Sequence, residues 1–134
     1  MHNLGSIYNG YHYPSFDNGL HIFMGLFLGI GIFSFLYAAQ QLKKISMPFW
    51  FMVVISISLS LTFGVLWEFY EFAWDHLIVP YFNFQPTQLS VADTLSDILI
   101  DIVGAMLGVT LIFFMSKTKK AKAMLVKPFE KYLQ

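Results

Sequence analysis

The chain contains no cysteine and no arginine, and only 12% of its residues are charged. Each shortage closes off a class of function. Without cysteine there is no thiol nucleophile, no thiolate metal ligand and no disulfide framework. Without arginine, and with a formal net charge of +0, the basic patch of a nucleic-acid-binding protein is missing, and no nucleic-acid partner is expected. A soluble domain carries about 25% charged residues, so this chain has half the usual charge with which to face water. Apolar residues fill the gap: 57% of the 134 residues are hydrophobic and 19% aromatic, and the mean hydropathy is +0.61. That length allows one compact unit. Such a chain belongs in a membrane.

A spanning helix needs about 20 mostly apolar residues, and three stretches qualify. The first runs from about Leu20 to Leu42. The second runs from about Pro48 to Trp74, with no charge before Glu68. The third runs from about Val91 to Met115, with three aspartates in its first half and then IVGAMLGVTLIFFM. Pro48 suits a first helical turn, and Ser90 suits an N-cap with Asp93 three residues on. The expected fold is therefore all-α, an integral membrane protein whose three-transmembrane-helix bundle occupies 19–116. An interfacial segment, 1–18, precedes it with Tyr8, Tyr11, Tyr13 and Phe16. A basic tail, 117–134, follows, suited to lying on an anionic leaflet.

The lysines set the expected orientation. Lys43 and Lys44 lie in the first loop, and Lys117, Lys119, Lys120, Lys122, Lys127 and Lys131 lie in the tail. Three spans put both regions on one face. By the positive-inside rule that face is cytoplasmic, so the N-terminus is expected outside. A cleaved signal peptide is not expected, because a basic n-region is missing.

Seven of the eight acidic residues fall at the opposite ends of the spans. Asp17 opens the first, with His21 one turn in. Glu68, Glu71 and Asp75 close the second at i, i+3, i+7. Asp93, Asp97 and Asp101 open the third at i, i+4, i+8. Residues three and four apart share a helical face, so each helix presents one polar stripe. At ~1.5 Å per residue, Asp101 lies on the order of 15 Å from Val91, near mid-bilayer. An ionised acid there costs ~2.5–3.5 kcal/mol on insertion scales, and no basic residue on that side compensates. Turning all three stripes inward gathers seven carboxyls and one imidazole in an outward-facing cleft, where bound cations or protons must offset the charge. Oxygen-rich sets with an imidazole suit Mg²⁺, Mn²⁺, Ca²⁺, Zn²⁺ or Fe²⁺. The expected cofactor is thus a divalent metal ion, with Asp17, His21, Glu68, Glu71, Asp75, Asp93, Asp97 and Asp101 as candidate ligands. Glu68, Glu71, Asp97 and His21 are the candidate catalytic groups.

Plainer roles compete at several positions. Asp93 also fits a first-turn acid favoured by the helix dipole, and Asp17 and Asp75 fit interfacial acids in water. His76 points off the stripe and reads as interfacial. Gly25 and Gly29, with Gly104 and Gly108, read as close-packing faces. Ser56, Ser58, Ser60 and Thr62 cannot all face one partner and are expected to bond their own backbone. A Ser-His-Asp triad is disfavoured, because these hydroxyls and His21 lie toward opposite ends.

The segments DNGLHIFMG, WEFYEFAWD and DTLSDILIDIVGAMLG resemble the YjdF-like inner-membrane proteins and, more distantly, the VanZ-like proteins. The likeness covers about residues 17 to 110 and carries over Asp17, His21, Gly25, Glu68, Glu71, Asp93, Thr94, Asp97, Gly104 and Ala105. This chain is expected to lack the extra N-terminal helices of typical members, and it adds Asp101. The resemblance implies an inner-membrane three-helix core. Through the association of VanZ-like members with glycopeptide resistance, it points faintly to cell-envelope chemistry. Three functions stay open. One is a metal-dependent hydrolase or transferase acting on envelope lipids or a lipid-linked substrate. Another is a carrier for protons or divalent cations, and the third is an accessory subunit with a structural ion. Membrane lipids are the expected partners, with a homo-oligomer left open.

Overall fold

The computed structural model describes residues 14–133. Among the described residues lie five helices and no strand: α1 (Pro14–Gln41), α2 (Phe49–Leu77), the single turn α3 (Val79–Phe82), α4 (Val91–Met115) and α5 (Lys119–Leu133). Three are long and apolar enough to cross a membrane, over Phe16–Gln41, Phe49–Leu77 and Val91–Met115. The all-α three-span bundle expected from the sequence is the fold observed. Helix α1 begins at Pro14, ahead of the expected Leu20. Asp17 in its first turn favours that extension, since an acid there complements the helix dipole. The expected interfacial segment up to residue 13 lies outside the described residues.

Helices α1 and α4 form the closest pair, and the glycines explain why. A Cβ on Gly25 or Gly29 would overlap the backbone of Asp101 or Ala105. One on Gly104 or Gly108 would overlap the backbone of Ile22, Leu26 or Ile30. Small residues are what let two membrane helices approach this closely, because lipid tails supply no hydrophobic drive for association. Helix α2 then leans on the pair through a buried row at helical spacing: Met52, Ser56, Ser60, Gly64, Glu68 and Glu71.

All three helices carry the same gradient along their inner faces. The end bearing the acids is polar, the middle is small, and the end bearing the lysines is apolar. There Phe33, Tyr37, Met52, Val109 and Ile112 pack with Leu125 of α5. Phe49 bridges this core, its ring 5.7 Å from Phe33 and 5.0 Å from Phe113. Outward faces carry exposed rings such as Phe23, Phe27 and Phe63, as a lipid-facing surface requires.

The connections are held by specific contacts. Lys43 takes a left-handed conformation (φ 57°) and Lys44 N–H bonds back to Ala39 O at 2.9 Å, which closes α1. The Gln40 amide then clamps Met47, donating to its carbonyl at 3.0 Å and accepting from its N–H at 3.1 Å. The basic tail, read from the sequence as suited to a leaflet surface, has a partner within the chain. It forms α5 and folds back on α1, with Leu125 buried and Phe129 edge-on to Phe35 at 5.7 Å. An amphipathic helix buries its apolar stripe where an apolar surface lies within reach, and the lysines of α5 stay exposed.

Candidate metal centre

At the acid-bearing end, six side chains from three helices converge out of solvent. Asp17 and His21 come from α1, Glu68 and Glu71 from α2, and Asp97 and Asp101 from α4; none is more than 6% exposed. His21 is the hub. Its Nδ1 donates to Asp101 Oδ2 at 3.2 Å, which sets the tautomer and leaves Nε2 facing inward. That nitrogen lies 3.8 Å from Asp17 Oδ1 and 3.6 Å from Glu68 Oε1. Both separations are too long for a hydrogen bond. They match two atoms that share one ion, since ligands at about 2.0–2.2 Å from a metal sit about 3–4 Å apart. Ligand atoms of Asp17, His21 and Asp97 lie within 4.8 Å of one another, as do those of His21, Glu68 and Glu71.

The polar bookkeeping points to the same place. His21 Nε2, Asp17 Oδ1, Glu68 Oε1, Asp97 Oδ1 and Asp101 Oδ1 are buried and accept or donate no hydrogen bond among the described residues. Buried polar atoms normally find partners, so the orphans of Asp17, His21, Glu68 and Asp97 call for one. Two further oxygens are oriented by neighbours. Glu71 Oε1 accepts from Trp67 Nε1 at 3.1 Å, and Glu68 Oε2 accepts from Gln88 Nε2 at 3.2 Å.

Two of the eight candidate ligands have other partners. Asp75, only half-buried, uses both oxygens to anchor the loop after α3: Oδ1 accepts from Thr87 N–H and Oγ1 at 2.9 and 3.0 Å, and Oδ2 from Gln88 N–H at 2.8 Å. Asp93 joins a reciprocal cap at the start of α4. Its N–H donates to Ser90 Oγ at 3.1 Å while its Oδ2 accepts from Leu89 N–H at 3.0 Å. His76 stays exposed, with Nδ1 donating to Phe72 O at 2.8 Å.

Sequence reasoning missed three supports. Gly64 has no room for a Cβ, because the Asp101 carboxylate occupies that space. It lies on the series Ser60, Gly64, Glu68, so its place on the inner face was readable. Gln88 and Thr87 sit in a loop without periodicity, and no pattern marked them. Ser56 bonds Met52 O at 2.8 Å and Thr62 bonds Ser58 O at 2.9 Å, the backbone pairing expected of these hydroxyls; Ser60 departs from it, its buried Oγ having no hydrogen-bond partner among the described residues.

Residues 1–118, which hold every member of this cluster, match the model of a family described as Predicted membrane protein (DUF2238). The chain belongs to this family. The matched region takes in the helices that build the pocket and ends just before α5. No curated protein and no solved structure matches the chain.

Proposed function

We propose that the buried cluster is a divalent-metal centre and that it serves hydrolysis or group transfer on envelope lipids. The convergence of unpartnered His21 Nε2 with carboxylate oxygens of Asp17, Glu68 and Asp97, in a pocket without lysine among the described residues, supports this reading most. Those four residues are the proposed ligands. Asp101 is a positioning residue, since a metal-bound histidine usually gives its other N–H to a carboxylate. Glu71, tied to Trp67 on one oxygen, is the proposed general base. A bound ion would supply the positive charge that the side chains lack and would activate a water or a substrate oxygen. The donor set suits Mg²⁺, Mn²⁺, Zn²⁺, Ca²⁺ or Fe²⁺.

The positive-inside rule supports an orientation with the cluster toward the outer leaflet and α5 cytoplasmic, in a bacterial inner membrane. The YjdF-like and VanZ-like resemblance favours the same setting. A carrier needs a path across the membrane. The apolar core of Phe33, Met52, Val109 and Ile112 at the lysine-bearing end speaks against one within a single copy of the chain.

Elemental analysis of detergent-purified protein tests the proposal. Wild type should retain a divalent metal near one equivalent, and Asp97→Asn and Glu68→Gln should lose it. A metal-free wild type, or variants that hold as much metal as wild type, would sink the assignment. Ion flux in liposomes should stay at background, and flux that Asp97→Asn abolishes would favour the carrier instead.

A further inference from the structure

A second concavity lies at the lysine-bearing end, across the bundle from the acid cluster. It has a volume of about 410 Å³ and is lined by Gln40, Lys43, Lys44, Ile45 and Ser46, where α1 passes into α2. Two contacts preform it. The Gln40 side chain grips both backbone groups of Met47, and Lys43 turns the chain through its left-handed conformation. Three carbonyls at the end of α1 are already used, since Ala38, Gln40 and Ala39 O accept from Leu42, Lys43 and Lys44 N–H. The next two N–H groups are not. Among the described residues nothing accepts from Ile45 or Ser46 N–H, and the Ser46 hydroxyl has no partner either.

The lining is therefore rich in donors: two ammonium groups, one hydroxyl and two successive backbone N–H groups, with no carboxylate side chain among them. Successive N–H groups at a turn form an anion-binding concavity. The wider field agrees, because this end carries all eight lysines and, of the acids, only Glu130. Depth names the anion. Trp50, in the first turn of α2, is 64% exposed. Lys117 Nζ sits 4.7 and 4.9 Å from the rings of Phe113 and Phe114, and Phe113 lies 5.0 Å from Phe49. Tryptophan and lysine set together at the end of a span mark the head-group level of a membrane, where the abundant anion is lipid phosphate.

We propose that this loop binds the phosphate of an anionic phospholipid. Lys43 and Lys44 offset its charge, while Ile45 N–H, Ser46 N–H and Ser46 Oγ donate to its oxygens. A zwitterionic head brings its own ammonium up to two lysines and is held less well. Size agrees, since small-molecule sites run to about 300–1,000 Å³, and a glycerophosphate head needs no more. The site is independent of any metal at the other end.

Native mass spectrometry of the full chain, released from detergent with equal phosphatidylglycerol and phosphatidylcholine, gives the test. Wild type should retain one phosphatidylglycerol several-fold more often than phosphatidylcholine. Lys43→Asn combined with Lys44→Gln should weaken that retention by more than about five-fold. Asparagine accepts the left-handed conformation, so the loop keeps its shape. Lys120→Gln combined with Lys122→Gln removes the same charge from α5, outside the lining, and should leave the preference intact. Ser46→Glu, at an exposed position, sets a carboxylate among the donors and should abolish the preference without lowering the melting temperature. Equal loss in both lysine pairs, or a preference that survives Ser46→Glu, overturns the proposal. Millimolar inorganic phosphate should not displace the lipid, and displacement would overturn the lipid assignment in favour of a soluble phosphate compound.

Discussion

Asp101 meets His21 Nδ1 through Oδ2, and its replacement separates positioning from ligation. Asp101→Asn keeps the shape but weakens a charge-assisted hydrogen bond. Loss of such an outer partner costs about 10–100-fold in metal affinity, so a Mn²⁺ titration should show weakened binding where Asp97→Asn shows none. Affinity should also climb with pH in wild type, because ligands shed protons as the ion enters. Gly64→Ala probes the same contact from the opposite helix. Its new methyl would meet the Asp101 carboxylate, and overpacking of this kind costs about 1–3 kcal/mol. A lower melting temperature in detergent, together with reduced Mn²⁺ binding, is the expected pair of readouts. These residue-scale facts were partly legible. The i, i+4 spacing put Asp17 with His21 and Asp97 with Asp101, and the cost of burying acids turned them inward. The sequence also marked Asp93 as a capping acid after Ser90, but it could not tell that Asp75 would leave the pocket, since Asp75 shares the spacing and meets N–H groups that only the folded loop supplies.

At the scale of elements, the α1–α4 contact and the loop after α3 behave differently under substitution. Gly25→Leu or Gly104→Leu drives a side chain into facing backbone, and neither helix can yield without losing the pocket that both line. Unfolding in denaturing detergent should come at markedly lower concentration for either variant. Asp75→Ala instead frees Thr87 and Gln88. Limited proteolysis should then cut near residues 83–90 while the melting temperature of the bundle changes little. The glycine pairs were readable as packing faces because their spacing repeats down each helix. The loop clasp was not, as it joins residues 12 and 13 apart in sequence with no periodic signal.

For the molecule as a whole, the fold followed from hydropathy, because runs of such length have no other stable setting than a membrane or a larger core. The docking of α5 escaped that logic. Its apolar stripe is equally suited to a leaflet surface, and only the exposed flank of α1 decided between them. Cysteine scanning tests the proposed orientation directly, since the chain has no native thiol. A membrane-impermeant maleimide should label Asn83→Cys in intact cells and Lys120→Cys only after permeabilisation.

The separation of acids and lysines to opposite ends has an electrical consequence. In the proposed orientation, a divalent ion that entered from the outer face and settled about a third of the way into the hydrocarbon would move down an inside-negative potential. At about 2.3 kcal/mol per elementary charge per 100 mV for a full crossing, that partial journey contributes about 1.5 kcal/mol per 100 mV. An energised membrane would thus load the centre more fully than a de-energised one, and collapse of the potential by an ionophore would release part of its metal.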